Sequence, residues 1–106
     1  MKKRLSFCLR RKLHFRIGDR ESDGMLTIGG LRHKEAVGDL QECWACEWSL
    51  GEIHPETSEI CGEDALDALL NCVRFIARLI EEHERIGWNI WWVEEGDKAG
   101  FDSLEV

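Results

Sequence analysis

The stretch from Gly62 to His83 holds the one long apolar pattern with a helical period. Leu66, Leu69, Val73, Ile76, Ile80 and His83 recur at steps of three and four, so they share one helix face. Leu70, Cys72 and Ala77 widen that face. A helix over 62–84 would be about 33 Å long at about 1.5 Å per residue, enough to cross a four-stranded sheet diagonally. What precedes it reads as strand. One helix covers only one face of a sheet, so the expected fold is α+β and two-layered: an antiparallel sheet of four to five strands packed on one long helix. At 106 residues the chain is expected to form a single domain.

Residues 5–17 alternate between apolar and polar types, with Arg11 as the one charged intruder on the apolar side, and a bulge near Arg10-Arg11 would release that charge. Gly18-Asp19 and Asp23-Gly24 bracket a polar connection. A second strand is expected over 25–31, with Leu26 and Ile28 facing the core and Gly29-Gly30 twisting or breaking it. A third spans 42–50, where Trp44, Cys46, Trp48 and Leu50 face one way and Cys43, Ala45, Glu47 and Ser49 the other. Residues 53–60 can hold a short strand, which Pro55 limits to an edge or a loop. Gly62 supplies the helix cap, Glu63 and Asp64 offset the helix dipole by ~0.3–1 kcal/mol each, and Gly87 stops the helix. The final strand, 88–93, is apolar on both faces, so either it is covered on both sides or Trp91 is exposed to a partner; 94–106 is an acidic tail.

The net charge is −7, split into +7 over residues 1–20 and −14 over the rest. If the first strand pairs inside the sheet, its basic residues meet acids across the ladder, at a few tenths to ~1 kcal/mol per pair. The overall field repels phosphate, so nucleic acid is not an expected partner and a basic protein is. No run approaches the ~18 apolar residues of a membrane span. The five cysteines are odd in number, and Arg10-Arg11-Lys12 cuts short the apolar stretch after Met1-Lys2-Lys3-Arg4. A cytoplasmic location with free thiols follows as the expectation.

Cys43-Trp44-Ala45-Cys46 has the spacing of a zinc knuckle or redox pair. Within an alternating strand the two thiols point to opposite faces, Cys46 to the core and Cys43 to the surface, so neither a metal nor a cofactor is expected there. His14, His33, His54 and His83 form no ligand pair, and His83 suits the negative end of the helix. No nucleophile stands beside a base, so no catalytic residue is assigned. The alternative is a small-molecule-binding domain or minor hydrolase at the helix N-terminus. It would use the exposed His54 with Glu63, Asp64 and Asp67, where Glu63 and Asp67 share a face at i,i+4. Those carboxylates also read simply as solvated residues. An exposed tryptophan is a contact anchor. Trp91 and Val93 are the protein-contact positions, and left in water they make an apolar patch that a homodimer would cover.

Gly62-Glu63-Asp64-Ala65-Leu66-Asp67-Ala68-Leu69, after the strand Cys46-Glu47-Trp48-Ser49-Leu50, resembles a group of small uncharacterised bacterial proteins. In these a strand-rich N-terminal half precedes a helix opening Gly-x-Asp-small-Leu. The resemblance implies a compact domain and no established activity, with an analogy to immunity factors of bacterial competition. The expected function is thus a non-catalytic protein-interaction module, immunity-like in sequestering a basic partner.

Overall fold

The computed structural model describes residues 4–39 and 41–92. The expected acidic tail and Val93 lie outside these residues. The elements are β1 (Arg4–Leu5), β2 (Leu9–Ile17), β3 (Arg20–Lys34), β4 (Cys43–Leu50), β5 (His54–Gly62), α1 (Ala65–Arg85) and β6 (Asn89–Trp91). The sheet runs β5-β4-β3-β2-β6, and β1 continues the line of β2 alongside β3. All pairings are antiparallel. One helix packs on one face, which is the two-layer α+β arrangement its single apolar stripe demands.

β3 is longer than its apolar residues indicate. It starts at Arg20, because Glu21, Ser22, Asp23 and Gly24 pair with Arg16, Phe15, His14 and Leu13 instead of forming a loop. Gly18-Asp19 alone closes the hairpin, since Ile17 pairs with Arg20. No bulge forms at Arg10-Arg11. The line breaks at residues 6–8 instead, between Leu5 paired to Leu31 and Leu9 paired to Ile28. On the other side of β3 the register with β4 shifts over the same Gly29-Gly30 stretch. Arg11 stays in the strand and lays its guanidinium over Trp92, 4.3 Å from the ring centroid.

The helix begins later than expected. Gly62 is the last residue of β5, Glu63 lies outside the helix, and Asp64 is the N-cap. The Asp64 carboxylate accepts from Asp67 N–H at 2.7 Å, and the Asp67 carboxylate accepts from Glu63 N–H at 2.9 Å. This reciprocal arrangement satisfies two otherwise orphaned donors. At the other end Gly87 takes φ +111, Trp88 N–H donates to His83 O at 3.0 Å and Gly87 N–H to Glu84 O at 3.1 Å. These are the two bonds of a Schellman motif, and the edge-to-face contact of His83 with Trp88 supplies its apolar partner. The His83 Nδ1–H also donates to Leu79 O at 2.8 Å, so this histidine is absorbed by the helix end.

The buried line on α1 is Ala68, Cys72, Ile76 and Ile80, with Ala77 beside it. It meets Leu13, Phe15, Leu26, Ile28, Leu31, Cys46, Trp48 and Leu50 from the sheet. Leu66 is 64% exposed, and Leu69 and Val73 lie at the margin of the core, only partly buried. The face is therefore rotated from the one the large residues mark. Small side chains hold its centre because the helix comes close to the strands. Gly62 shows how close: a Cβ there would sit 2.3 Å from Ala68 N and 2.6 Å from Asp67 C. No side chain fits between the end of β5 and the first turn of α1.

Two stability predictions follow from this packing. Ile76→Ala should cost about 2–5 kcal/mol through lost burial and a cavity, and Leu66→Ala under about 1 kcal/mol. Urea melts would rank them, and equal losses would contradict the helix register. Gly62→Ala should cost about 1–3 kcal/mol by overpacking, because the clashing atoms are backbone and cannot rotate away. A melt that leaves Gly62→Ala at wild-type stability would show that the helix end yields.

Candidate functional site

The sheet face away from α1 is polar and largely paired. Across β2 and β3, Lys12 Nζ lies 3.5 Å from Asp23, His14 Nδ1 donates to the same carboxylate, and Arg16 Nη2 lies 3.5 Å from Glu21. The basic first strand thus meets acids across the ladder. Across β3 and β5, Arg32 and Lys34 both reach Glu59, at 2.6 Å and 2.7 Å. The Lys34 hydrogen bond is the main cause holding the Glu59 carboxyl below its ordinary range. The same bond raises Lys34.

Trp91 stands on this face and is 6% exposed. His14 stacks on it at 5.6 Å, and the Arg16 guanidinium lies 5.5 Å from its ring centroid. It is therefore not the exposed anchor that its position in an apolar strand indicated. Burying it also removes Trp91 from the patch invoked for a homodimer.

The four residues of the helix-end alternative do not converge. His54 opens β5, stacks on Trp48 at 4.5 Å and shares a 2.7 Å hydrogen bond with Ser58. Glu63 and Asp64 follow the other end of that strand, about 25 Å away at about 3.3 Å per residue. Asp64 and Asp67 are spent on the cap, and Asn71 Nδ2 ties Cys61 O to it at 3.1 Å. That separation is a correction to the expected site: no proton could pass between His54 and these carboxylates.

Cys43 and Cys46 take opposite faces. Cys46 is fully buried against Cys72, whose thiol is pushed up by its hydrogen bond to Cys46 and by burial. Cys43 faces out, diagonal across the ladder from Cys61, and burial together with the Cys43 thiol raises Cys61. Among the described residues no three His, Cys, Asp or Glu side chains come together as a metal site.

Three depressions meet at Cys61. The largest, about 520 Å³, lies on the polar face between Arg32, Lys34, Val37 and Cys43. A second, of about 350 Å³, lies at the helix start by Gln41, Glu63 and Asn71. The third, also about 350 Å³, is a groove between β5 and α1, lined by Ile60, Asn71, Arg74, Phe75 and Arg78. Phe75 is 43% exposed there and touches Trp48 edge-on at 5.5 Å. Arg74 and Arg78 are exposed, and neither makes an ion pair among the described residues. Sequence periodicity missed this groove because Phe75 falls off the apolar stripe. An aromatic outside the stripe, with arginines before it and three residues on, was the available signal.

Comparison with known protein families, curated proteins and solved structures found no match. The opening Gly62-x-Asp64 pattern is accounted for by the close approach at Gly62 and the cap at Asp64.

The Glu59 pairing predicts an acid response. Its folded pKa lies below the ordinary 4.5, so its contribution to stability is present above that value and is lost as pH falls through the folded one. Glu59→Gln should therefore flatten the fall in urea midpoint below about pH 4.5 while lowering stability near pH 7. An unchanged acid limb would show that Glu59 contributes no such coupling.

Proposed function

We propose that the protein is an interaction module with no chemistry of its own, which receives a protein partner on its β5 side. The carrying observation is the meeting of three depressions at Cys61, beside an edge strand that no described residue pairs and a half-exposed Phe75. Phe75 gives the groove an aromatic wall, the kind of side chain enriched at protein contacts. The net charge of −7 favours encounter with a basic protein, and an immunity-like role, sequestering a basic enzyme or toxin, is the specific form of the proposal. The helix-end hydrolase reading loses its support because His54 and its carboxylates stand at opposite ends of β5. A second copy of the chain is the competing occupant of the surface.

Position-resolved cross-linking tests the proposal. Cys8 and Cys61 are both exposed, whereas Cys46 and Cys72 are buried. With Cys43→Ser and Cys8→Ser in place, a photo-cross-linker on Cys61 should capture a protein from the native host at one-to-one stoichiometry. The same label on Cys8, with Cys43→Ser and Cys61→Ser, should not. Identical products from both positions, or no protein product from Cys61, would overturn the proposal, and a dimer of this chain alone would replace the partner with a second copy.

A further inference from the structure

We infer that the outer edge of β5 is a strand-addition site for an extended segment of a partner protein, one that carries an apolar side chain and carboxylates on the face turned toward α1. The inference rests on the proposed interaction role and names how the partner would be held. An edge strand presents alternate unpaired N–H and C=O groups, and natural sheets blunt such edges with proline, irregular pairing or charge. In β5 those devices sit at the beginning. Pro55 is its second residue, and the register with β4 shifts between Trp48 and Leu50. From Ser58 to Cys61 the ladder to β4 is unbroken, with Ser58, Glu59, Ile60 and Cys61 opposite Trp48, Glu47, Cys46 and Ala45. Cys61 O already accepts from Asn71 Nδ2 at 3.1 Å, and a strand laid along this stretch would satisfy the remaining outward backbone groups, which no described residue bonds.

Side-chain chemistry selects the segment. On the helix side an added strand enters the groove of Ile60, Phe75, Arg74 and Arg78. Ile60 and Phe75 offer a place for one apolar side chain. Arg74 and Arg78, one helical turn apart, offer two exposed guanidiniums that form no ion pair among the described residues. A carboxylate there would be held by a charge-assisted bond and would shield both arginines from each other. A second copy of β5 fits poorly. Antiparallel pairing about a twofold axis normal to the sheet would bring a second Arg74 and Arg78 to the same side of this edge, adding like charges. The net charge of −7 governs the partner's approach and the two arginines its docking strand, so a basic protein with an acidic exposed strand meets both conditions.

The test uses two capped nine-residue peptides of alternating threonine and valine. One has two of the valines replaced by aspartate, the other by lysine. Amide exchange and nitrogen-correlated spectra of the whole protein are read during titration. The aspartate peptide should bind saturably, shift the amides of residues 56–62 and slow their exchange. The lysine peptide should bind at least about tenfold more weakly. Arg74→Glu with Arg78→Glu should reverse that order. Phe75→Ala should weaken the aspartate peptide at unchanged melting temperature, and since Phe75 also touches Trp48, Phe75→Leu serves if the alanine variant melts early. Equal binding of the two peptides, or binding without β5 protection, would overturn the inference. So would β5 amides already protected in a concentration-dependent dimer. Cross-linking from Cys61 with no slowed β5 exchange would retain the interaction role and remove strand addition alone.

Discussion

Among the described residues, a single stripe of apolar side chains on one helix covers the sheet. The stripe of Ala68, Cys72, Ile76 and Ile80 closes one face over Leu13, Phe15, Trp48 and Leu50. At about 25 cal/mol per Å² of apolar area removed from water, this burial is the dominant favourable contribution to folding. Among the described residues no second helix covers the opposite face, and there side chains pair in place of a second apolar layer. Asp23, Glu21 and Glu59 sit opposite Lys12, His14, Arg16, Arg32 and Lys34. Ion pairs of this exposure contribute little each, about 0.2–1 kcal/mol. Their value is in register: a one-residue slip of β2 would exchange its charged and apolar faces.

The same constraint fixes the two ends of the helix. Carrying the chain from β5 at one edge to β6 at the other requires the helix to start hard against the strand it leaves. That is why Gly62 has no room for a side chain and why the Asp64 cap falls two residues past the strand end, with Asp67 bonding back to Glu63 N–H. The helix must also stop where β6 can reach β2, and Gly87 with the His83–Trp88 contact turns the chain there. Trp88 then meets Phe15 edge-on at 5.9 Å, so the turn that ends the helix also seals the β2 end of the core.

The layers, the long helix and most strand centres were legible in the sequence, because they follow from periodicity. The parts that were not legible depend on partners distant in sequence. Glu21, Ser22, Asp23 and Gly24 have the composition of a turn, and they become strand because β2 supplies opposite charges and a pairing edge. Leu66 fits the helical spacing as well as Ala68 does, and hydropathy favours the larger residue. The structure puts the smaller one inside because strand and helix backbones nearly touch. Periodicity does not decide whether Trp91 is covered or exposed, because its strand is apolar on both faces. Its cover comes from His14 and Arg16, which only the β2–β6 register brings beside it. For the candidate site, the edge position of β5 was legible from Pro55, while Phe75 was not, since an aromatic off the stripe has no meaning until the neighbouring strand is placed.

A helix that leaves an edge strand and crosses the whole sheet has a geometric consequence at its start. Its first turns lie over β5, the strand with nothing described beyond it, so residues on the outer flank of those turns overhang an open edge. Asn71, Arg74, Phe75 and Arg78 occupy that flank. Two are spaced to carry charge outward, and one is an aromatic that is only half covered by Trp48 and its neighbours. Among the described residues, two exposed arginines without an ion pair lie beside an edge strand that nothing described pairs, and that combination directs the search for a partner there.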